Sequence, residues 1–362
     1  MAENLRIMHV GVARSLRGGE VQQLLLMEGL RGLGHTVCHV GRSGGQIGIR
    51  AAAAGIECVA LPPSAEFVPL GGLVLSRMAR VWRADVLHLH DPRALALGCR
   101  AASHFRPRCV VASRRVDFPV RNAGNYTHNV DRVIAVSSAV ADVLVDCGVP
   151  AGRIDVVHSA LDPSHAGGTS ARAEICARYG WGEDPFLIGA LAALAEHKGL
   201  RYLIEAAPAV LAARPDARFL IVGEGELRAE LTALISRLGV EEQVRLFGFT
   251  DRVADVVAGF DVCVLPSISG EGSPGAVKEA MAAGVAVLGA ESGGIPEVVG
   301  DAGLLVPPAD APAIAEALLR LASDGTLRTS LAAKGAARAA SLFSPEAMVA
   351  GTLCIYYHIL GA

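Results

Sequence analysis

Glu271 and Glu279 bracket the stretch EGSPGAVKE, two carboxylates eight residues apart. Ser273 is a good N-cap and Pro274 suits the first helical position, so a helix is expected to start here and run to about Ala283. Glu271 would then lie in the loop ahead of the helix, with Glu279 on its second turn. The free N–H groups of Gly275 and its neighbours point out of such a helix end, toward a site suited to a phosphate or sugar oxygen. A carboxylate on each side can accept hydrogen bonds from hydroxyls, and a nucleotide-sugar has this layout of phosphates flanked by polyols. The plainer alternative is that both acids favour a helix N-terminus, worth a few tenths of a kcal/mol each. The setting favours a site: strand-like DVCVLPS precedes the stretch and strand-like VAVLGA follows it. Open α/β sheets bind ligands at such strand ends.

Other groups invite the same question. Lys198, in AEHKG, follows the apolar run Phe186–Leu191, and an ammonium at a strand's carboxyl end is a good point-charge partner for pyrophosphate. Gly18 and Gly19, just before Glu20 and a helical stretch, would let main chain approach a phosphate closely. They do not form G-x-G-x-x-G, and no acid ends the second strand, so a dinucleotide site is disfavoured. Gly223–Glu224–Gly225 ends FLIVGEG and is expected to open another helix, as a turn or as a ligand loop. His88 and His90 in LHLHD fall on one face of a strand, one suited to the core and one to a cleft. Arg114, Arg115 and Asp117 form a polar cluster at another strand end, an acceptor contact or a loop ion pair.

The elements that would position these groups follow from composition. The chain has 362 residues, 52% hydrophobic but only 4% aromatic, which suits parallel sheets buried under helices in about two domains. No apolar run reaches the roughly 18 residues a membrane span needs, and MAENLRIMHVGV reads as a first strand instead of a signal peptide. Eight cysteines without C-x-x-C spacing suit reduced thiols in cytosol. The eleven histidines are scattered along the chain, so no metal site is expected. Net charge is −3 but uneven: residues 1–165 carry 18 arginines against 13 acids, the remainder 15 bases against 23.

Apolar β-type runs alternate with helical-period runs, the pattern of parallel α/β architecture. Strands are expected at Arg6–Val12, Thr36–Val40, Ile56–Leu61, Asp85–Leu89, Cys109–Ser113 and Asp131–Val136. A helix from Gly19 to Leu33 carries Val21, Leu24, Leu25 and Leu30 on one face and ends at Gly34. Polar DPSHAGGTSAR (Asp162 to Arg172) reads as a linker, after which strands recur at Phe186–Leu191, Arg218–Val222, Val244–Phe247, Val262–Leu265, Val285–Leu288 and Gly303–Val306. The expected fold is α/β, two doubly wound Rossmann-like domains facing across a cleft. The domains are 1–165 on the acceptor side and 166–343 on the donor side, with a final helix in 344–362 packing back on the first.

With these residues in view, the chain resembles the retaining glycosyltransferases of family four, which have the two-domain GT-B architecture. The resemblance runs nearly end to end, through RGGE (Arg17 to Glu20), DRVIAVS, HKG, VGEGEL, FGFTDRVADV and, most specifically, EGSPGAVKEAMAAGVAVLGAESGGIPEVV. It implies that Glu271 and Glu279 are the two acids of an E-x7-E motif, the first on donor-sugar hydroxyls and the second on the ribose. Gly272, Ser273, Pro274 and Gly275 match the turn whose N–H groups meet sugar or phosphate. Lys198 matches the pyrophosphate lysine, and Gly18 and Gly19 the loop that closes over the phosphates. Such enzymes need no metal or other cofactor. Two departures stand out: an arginine that often sits five residues before the lysine is Ala193 here, and Ser113–Arg114–Arg115 stand where an acceptor-side histidine is common.

The expected activity is retaining transfer of a sugar from a UDP- or GDP-sugar to a hydroxyl on a glycan or lipid-linked acceptor, in envelope or extracellular polysaccharide synthesis. Glu271, Lys198 and Arg115 carry the chemistry, and Gly18, Gly19, Gly223, Glu224, the Gly272–Gly275 turn and Glu279 hold the donor. Alternatives are a GT-B-like nucleotide-sugar epimerase and a catalytically silent nucleotide-sugar-binding module, with an oxidoreductase remotest. No nucleic acid partner is expected. Ten arginines between Arg77 and Arg121, against Asp85, Asp91 and Asp117, put a basic face on the first domain. Arg77, Arg80 and Arg83 recur beside Leu73, Leu75, Met78, Val81 and Trp82, as on a helix lying at an anionic membrane surface or one with a plain core face. The expected location is cytoplasmic, peripheral at the inner face of the cell membrane.

Overall fold

The computed structural model describes residues 4–14, 18–62, 65, 68–120, 122–165, 168–182 and 184–361. Arg17, Arg121 and the Ala166–Gly167 pair of the expected linker lie outside them. Thirteen strands among the described residues form two parallel sheets. The first contains β1 (Arg6–Val10), β2 (Thr36–Arg42), β3 (Glu57–Leu61), β4 (Val86–Leu89), β5 (Cys109–Arg114), β6 (Arg132–Ala135) and β7 (Ile154–Val156), in the order β3-β2-β1-β4-β5-β6-β7. The second contains β8 (Phe186–Leu191), β9 (Ala217–Val222), β10 (Val244–Gly248), β11 (Val262–Leu265), β12 (Ala286–Ala290) and β13 (Gly303–Val306), in the order β10-β9-β8-β11-β12-β13. Each order reverses once, at β1/β4 and at β8/β11. Connections leave those neighbours in opposite directions and open a crevice at the strands' carboxyl ends.

Two compact units result: one runs to Asp162 and takes back Ser344 onward, and the other is Pro163–Phe343. The central strands are buried on both faces, β4 and β11 at every residue, which is why they read as continuous apolar runs. Strand β7 escaped the sequence reading because it is three residues long and half-exposed at a sheet edge. Its Asp155 accepts two bonds of 2.6 Å from Arg132 on neighbouring β6.

In the first unit the helix Gly18–Gly32 buries Gln23, Leu26, Met27 and Leu30, so of the expected face Leu30 is fully in the core while Leu24 and Leu25 pack at its margin. The four buried residues fall at i, i+3, i+4 and i+7; the stripe was hidden because one member is a glutamine. Gln23 faces His39, with Nε2 3.2 Å from its Nδ1. The final helix, Pro345–Leu360, is capped by the Ser344 hydroxyl on the Ala347 N–H. It packs Met348, Val349, Leu353, Ile355 and Tyr356 against Leu5, Ile7, Leu26, Met27 and Leu30. Gly29 admits Val349, whose Cγ2 lies 2.5 Å from where a Cβ would stand.

Strand register assembles what the sequence scatters. His9 of β1 pairs laterally with His39 of β2 and His88 of β4, making a row of imidazoles across the sheet, with His90 just beyond β4. All four are buried, His88 and His90 alike. Burial pulls His9 down to about 3 and His39 to about 4, and holds His88 and His90 well below the ordinary 6.5. Neighbouring imidazoles and the Arg115 guanidinium push His9, His88 and His90 the same way.

These shifts set the sign of the acid response. The unfolded chain takes up protons at the ordinary value while the folded unit does not. Stability is therefore complete above about pH 6.5 and is lost as pH falls toward the folded values, by about 1.4 kcal/mol per pH unit for each fully shifted histidine. The thermal unfolding midpoint is expected to drop steeply between about pH 6.5 and 4.5. A midpoint that stays level across that range in calorimetry would contradict the buried neutral row.

Candidate functional site

In the second unit a pocket of about 410 Å³ is lined by Leu191, Val222 and Leu265, each the last residue of its strand (β8, β9 and β11). Lys198, Gly223, Glu271, Pro274, Gly275 and Glu279 also line it, so the structure gathers these expected site residues into one place. Its centre is an ion pair: Lys198 Nζ lies 2.6 Å from Glu271 Oε1. The Ser267 hydroxyl donates to the same oxygen at 2.6 Å. Both contacts fall on Oε1. Glu271 is only 5% exposed, and burying a carboxylate is costly without such hydrogen-bonding partners.

Backbone contacts hold that pair together. Gly199 sits at φ 62°, and a Cβ there would lie 2.1 Å from the Pro266 carbonyl, so only glycine lets the lysine turn press on the segment after β11. The Ile268 N–H donates to the His197 carbonyl at 2.9 Å, and the Gly294 N–H to the Glu271 carbonyl at 2.6 Å. On the far side Glu279 Oε1 meets His165 Nδ1 at 2.8 Å. His165 comes from the expected linker and Ser267 from the end of DVCVLPS; neither carried a sequence signal of its own. Ala193 lines the pocket too, so no guanidinium enters from that position.

One expectation needs correction. The helix begins at Gly275 and ends at Ala282; Pro274 is its N-cap, and no side chain caps it. Ser273 makes no cap bond; its hydroxyl accepts a 2.7 Å bond from Lys278 Nζ. Lys278 is 1% exposed, and burial pulls its ammonium down to about 7 against the opposing pull of Glu279 and Glu297. It was read only as one more residue of the stretch.

Glu224 is not gathered in. The helix after it opens at Arg228, and Arg228 takes both Glu224 carboxylate oxygens at 2.7 Å. Gly223 and Gly225 are needed for packing: a Cβ on them would lie 2.0 Å from the Ala192 carbonyl and 2.3 Å from that of Leu194.

Arg115, Gly18 and Gly19 belong to the first unit. A Cβ on Gly19 would stand 3.8 Å from Arg115 Cδ, so the guanidinium stem lies beside the start of the Gly18–Gly32 helix. Arg115 donates to the His90 carbonyl at 3.1 Å and to His90 Nδ1 at 2.9 Å. That donor fixes the tautomers. His90 carries its proton on Nε2 and gives it to His9 Nδ1, 2.8 Å away, so the His9 proton sits on Nε2, which has no partner among the described residues. His88 bonds Tyr356 and Ser113. Burial pulls the Arg115 guanidinium down to about 10, with Glu20 and Asp91 opposing. Arg114 turns away to the Phe118 carbonyl. Three imidazoles thus offer nitrogens within 4.8 Å of one another, where sequence spacing suggested dispersal. His9 and His90 are linked through hydrogen bonds to the Arg115 guanidinium, while both His88 nitrogens are taken by Tyr356 and Ser113.

Comparison with known proteins bears on family and fold. Residues 16–165 match the family described as Glycosyltransferase Family 4, and residues 185–324 the family described as Glycosyl transferases group 1. The lipopolysaccharide core biosynthesis glycosyltransferase LpsE of Rhizobium meliloti is 30% identical over 279 residues, 76% of each chain. The 2-deoxystreptamine glucosyltransferase of Streptomyces kanamyceticus is 27% identical over 282 residues, 68% of this chain and 70% of that one. Among solved structures, Anabaena HepE in complex with UDP superposes with a TM-score of 0.83 at 21% identity, over 97% of this chain and 100% of the other, a likeness of fold.

Proposed function

From a chain that belongs to glycosyltransferase family 4 and has the two-domain GT-B fold, we propose retaining transfer of a sugar from a nucleoside-diphosphate sugar to a hydroxyl acceptor. The observation that carries this reading is the convergence of Lys198, Glu271, Glu279 and an uncapped helix N-terminus on one pocket. Developing charge on the leaving diphosphate would be met by the Lys198 ammonium and the N–H groups of Gly275 and Ala276. An ammonium has three donors, so Lys198 can keep Glu271 and still reach a phosphate. Glu271 would take donor-sugar hydroxyls and Glu279 the ribose. Phe249, 81% exposed on the pocket wall, offers a flat apolar face to the base. HepE binds UDP according to its structure, which favours uridine, with GDP-sugars as the other candidates. Names among the relatives point to lipopolysaccharide and other envelope glycans as products, hence to a glycan or lipid-linked acceptor.

The first unit would receive that acceptor, with Arg115 at the site. Its helix Val68–Trp82 keeps Leu75 and Ala79 in the core but shows Leu70, Leu73 and Val81 at 44%, 47% and 76% exposure. Arg77 lines a groove with Val74, Met78, Val81 and Trp82. Trp82 itself is tied down by Glu57 and by Arg6 over its ring. Among the described residues no single helix is long and apolar enough to cross a membrane. Peripheral, salt-sensitive association with an anionic surface is the proposal that suits this face, from a cytoplasmic location.

Three outcomes are expected. Incubated with UDP- or GDP-sugars, the protein should slowly release free sugar, and Lys198→Ala should lose about 2–4 kcal/mol of transition-state stabilisation in kcat/KM. An epimerised donor, or a variant as fast as wild type, sinks the reading. Turnover should survive EDTA, because the lysine and helix end meet the leaving group; loss on chelation restored by manganese or magnesium would show a metal doing that work. Vesicles containing anionic lipid should co-sediment the protein at low salt and release it at high salt. Failure to bind at low salt would favour a soluble acceptor.

A further inference from the structure

We propose that Lys278 is a positioning residue: it keeps the N-terminus of the helix Gly275–Ala282 open to ligand by withholding the Ser273 hydroxyl from it. The inference rests on the donor-site reading above and adds the device that prepares that site.

Local chemistry favours a different helix start. Ser-Pro followed by Gly-Ala is a strong N-cap and N1 signal, in which the Ser273 oxygen would accept from the Ala276 N–H two positions after Pro274. That cap would consume one of the N–H groups facing the pocket. In the structure Pro274 has φ −65° and ψ 118°, so it stands outside the helix, which starts two residues beyond Ser273. Turning ψ of Pro274 to the helical value of about −40° is the main rotation between the two arrangements. The contest is therefore between two donors for one serine oxygen: the helix's own N–H and the Lys278 ammonium.

The structure awards it to the lysine. Lys278 Nζ donates to Ser273 Oγ at 2.7 Å and holds that oxygen where it makes no cap bond to the helix. Its stem is fully buried, and its nitrogen stands 4.8 Å from the centroid of the buried Phe343 ring. An apolar side chain of similar length would fill this slot without the cost of burying an amine, a cost visible in the ammonium's lowered pKa. Gly275 and Ala276 remain on the pocket wall with Glu279. The lysine touches no expected substrate atom; it acts through Ser273.

The test compares wild type, Lys278→Met and Lys278→Met/Ser273→Ala as full chains, titrated with UDP and GDP by calorimetry. Lys278→Met should weaken binding about tenfold, the loss of roughly one charge-assisted contact. Removing the rival cap in the double variant should restore most of that loss. Wild-type affinity in the single variant, or a double variant as weak as the single, overturns the proposal; the latter marks Lys278 as packing alone. A second measurement needs no variant: amide exchange in the wild type. The Gly275 and Ala276 amides should exchange freely without nucleotide and become protected with it. Protection in the free protein overturns the proposal even if Lys278→Met does not fold. Should wild type bind neither nucleotide, the donor reading fails by itself. Slower Ala276 exchange in Lys278→Met would still uphold Lys278's hold on the helix start, and unchanged exchange would refute it.

Discussion

The second unit is organised around a nearly buried carboxylate at a pocket wall, Glu271. Removing one partner of a buried ion pair typically costs about 3–5 kcal/mol, so Glu271 obliges the fold to deliver Lys198 and Ser267 to the same oxygen. That delivery explains the surrounding backbone. The lysine turn after β8 must press on the segment after β11, which only a glycine at 199 permits, and Gly294 must clamp the Glu271 carbonyl. A pocket held by main-chain contacts is preorganised, and preorganised dipoles stabilise developing charge without reorganising when it appears. Lys198 consequently has two duties, holding Glu271 and facing the pocket.

The first unit solves the same problem of buried polarity by the opposite means. Burial keeps His9, His39, His88 and His90 neutral, with Arg115 donating to His90, His90 to His9, and His88 held between Tyr356 and Ser113. Tyr356 arrives on the last helix of the chain, which joins this unit through both an apolar face and a buried phenol. Arg115 stands at the end of the relay, beside Gly19, so its orientation depends on residues from β1, β4 and the loop after β5. Among the described residues His9 Nε2 and His39 Nε2 are left without a hydrogen-bond partner.

Between the two glutamates, Lys278 and Ser273 show how tertiary structure overrules a sound local signal. Ser273 and Pro274 together make a proper helix start, yet the helix starts later because a buried amine takes the serine oxygen first. The result is a helix end whose N–H groups face a pocket already carrying a lysine, an arrangement that favours an anion from two directions.

Much of this was legible in the chain. Parallel strands buried on both faces must be continuous apolar runs, so the central ones could be read directly, and the last helix was placed within 344–362. Lys198, Glu271 and Glu279 were legible because each follows a strand or opens a helix, and in parallel sheets such places share one edge. Gln23 was missed because an apolar stripe was sought where one member is polar, and β7 because three half-exposed residues at an edge leave no pattern. The histidine row, the Ser267 bond and the Lys278 bond lay beyond the sequence for another reason. Periodicity encodes which face a residue takes, and spacing encodes where an element ends. Which residues lie side by side across strands, and which donor wins a shared acceptor, are settled only when register and packing bring groups tens of residues apart within bonding distance. For His9, His39 and His88 that was strand register; for Ser273 it was the burial of one lysine.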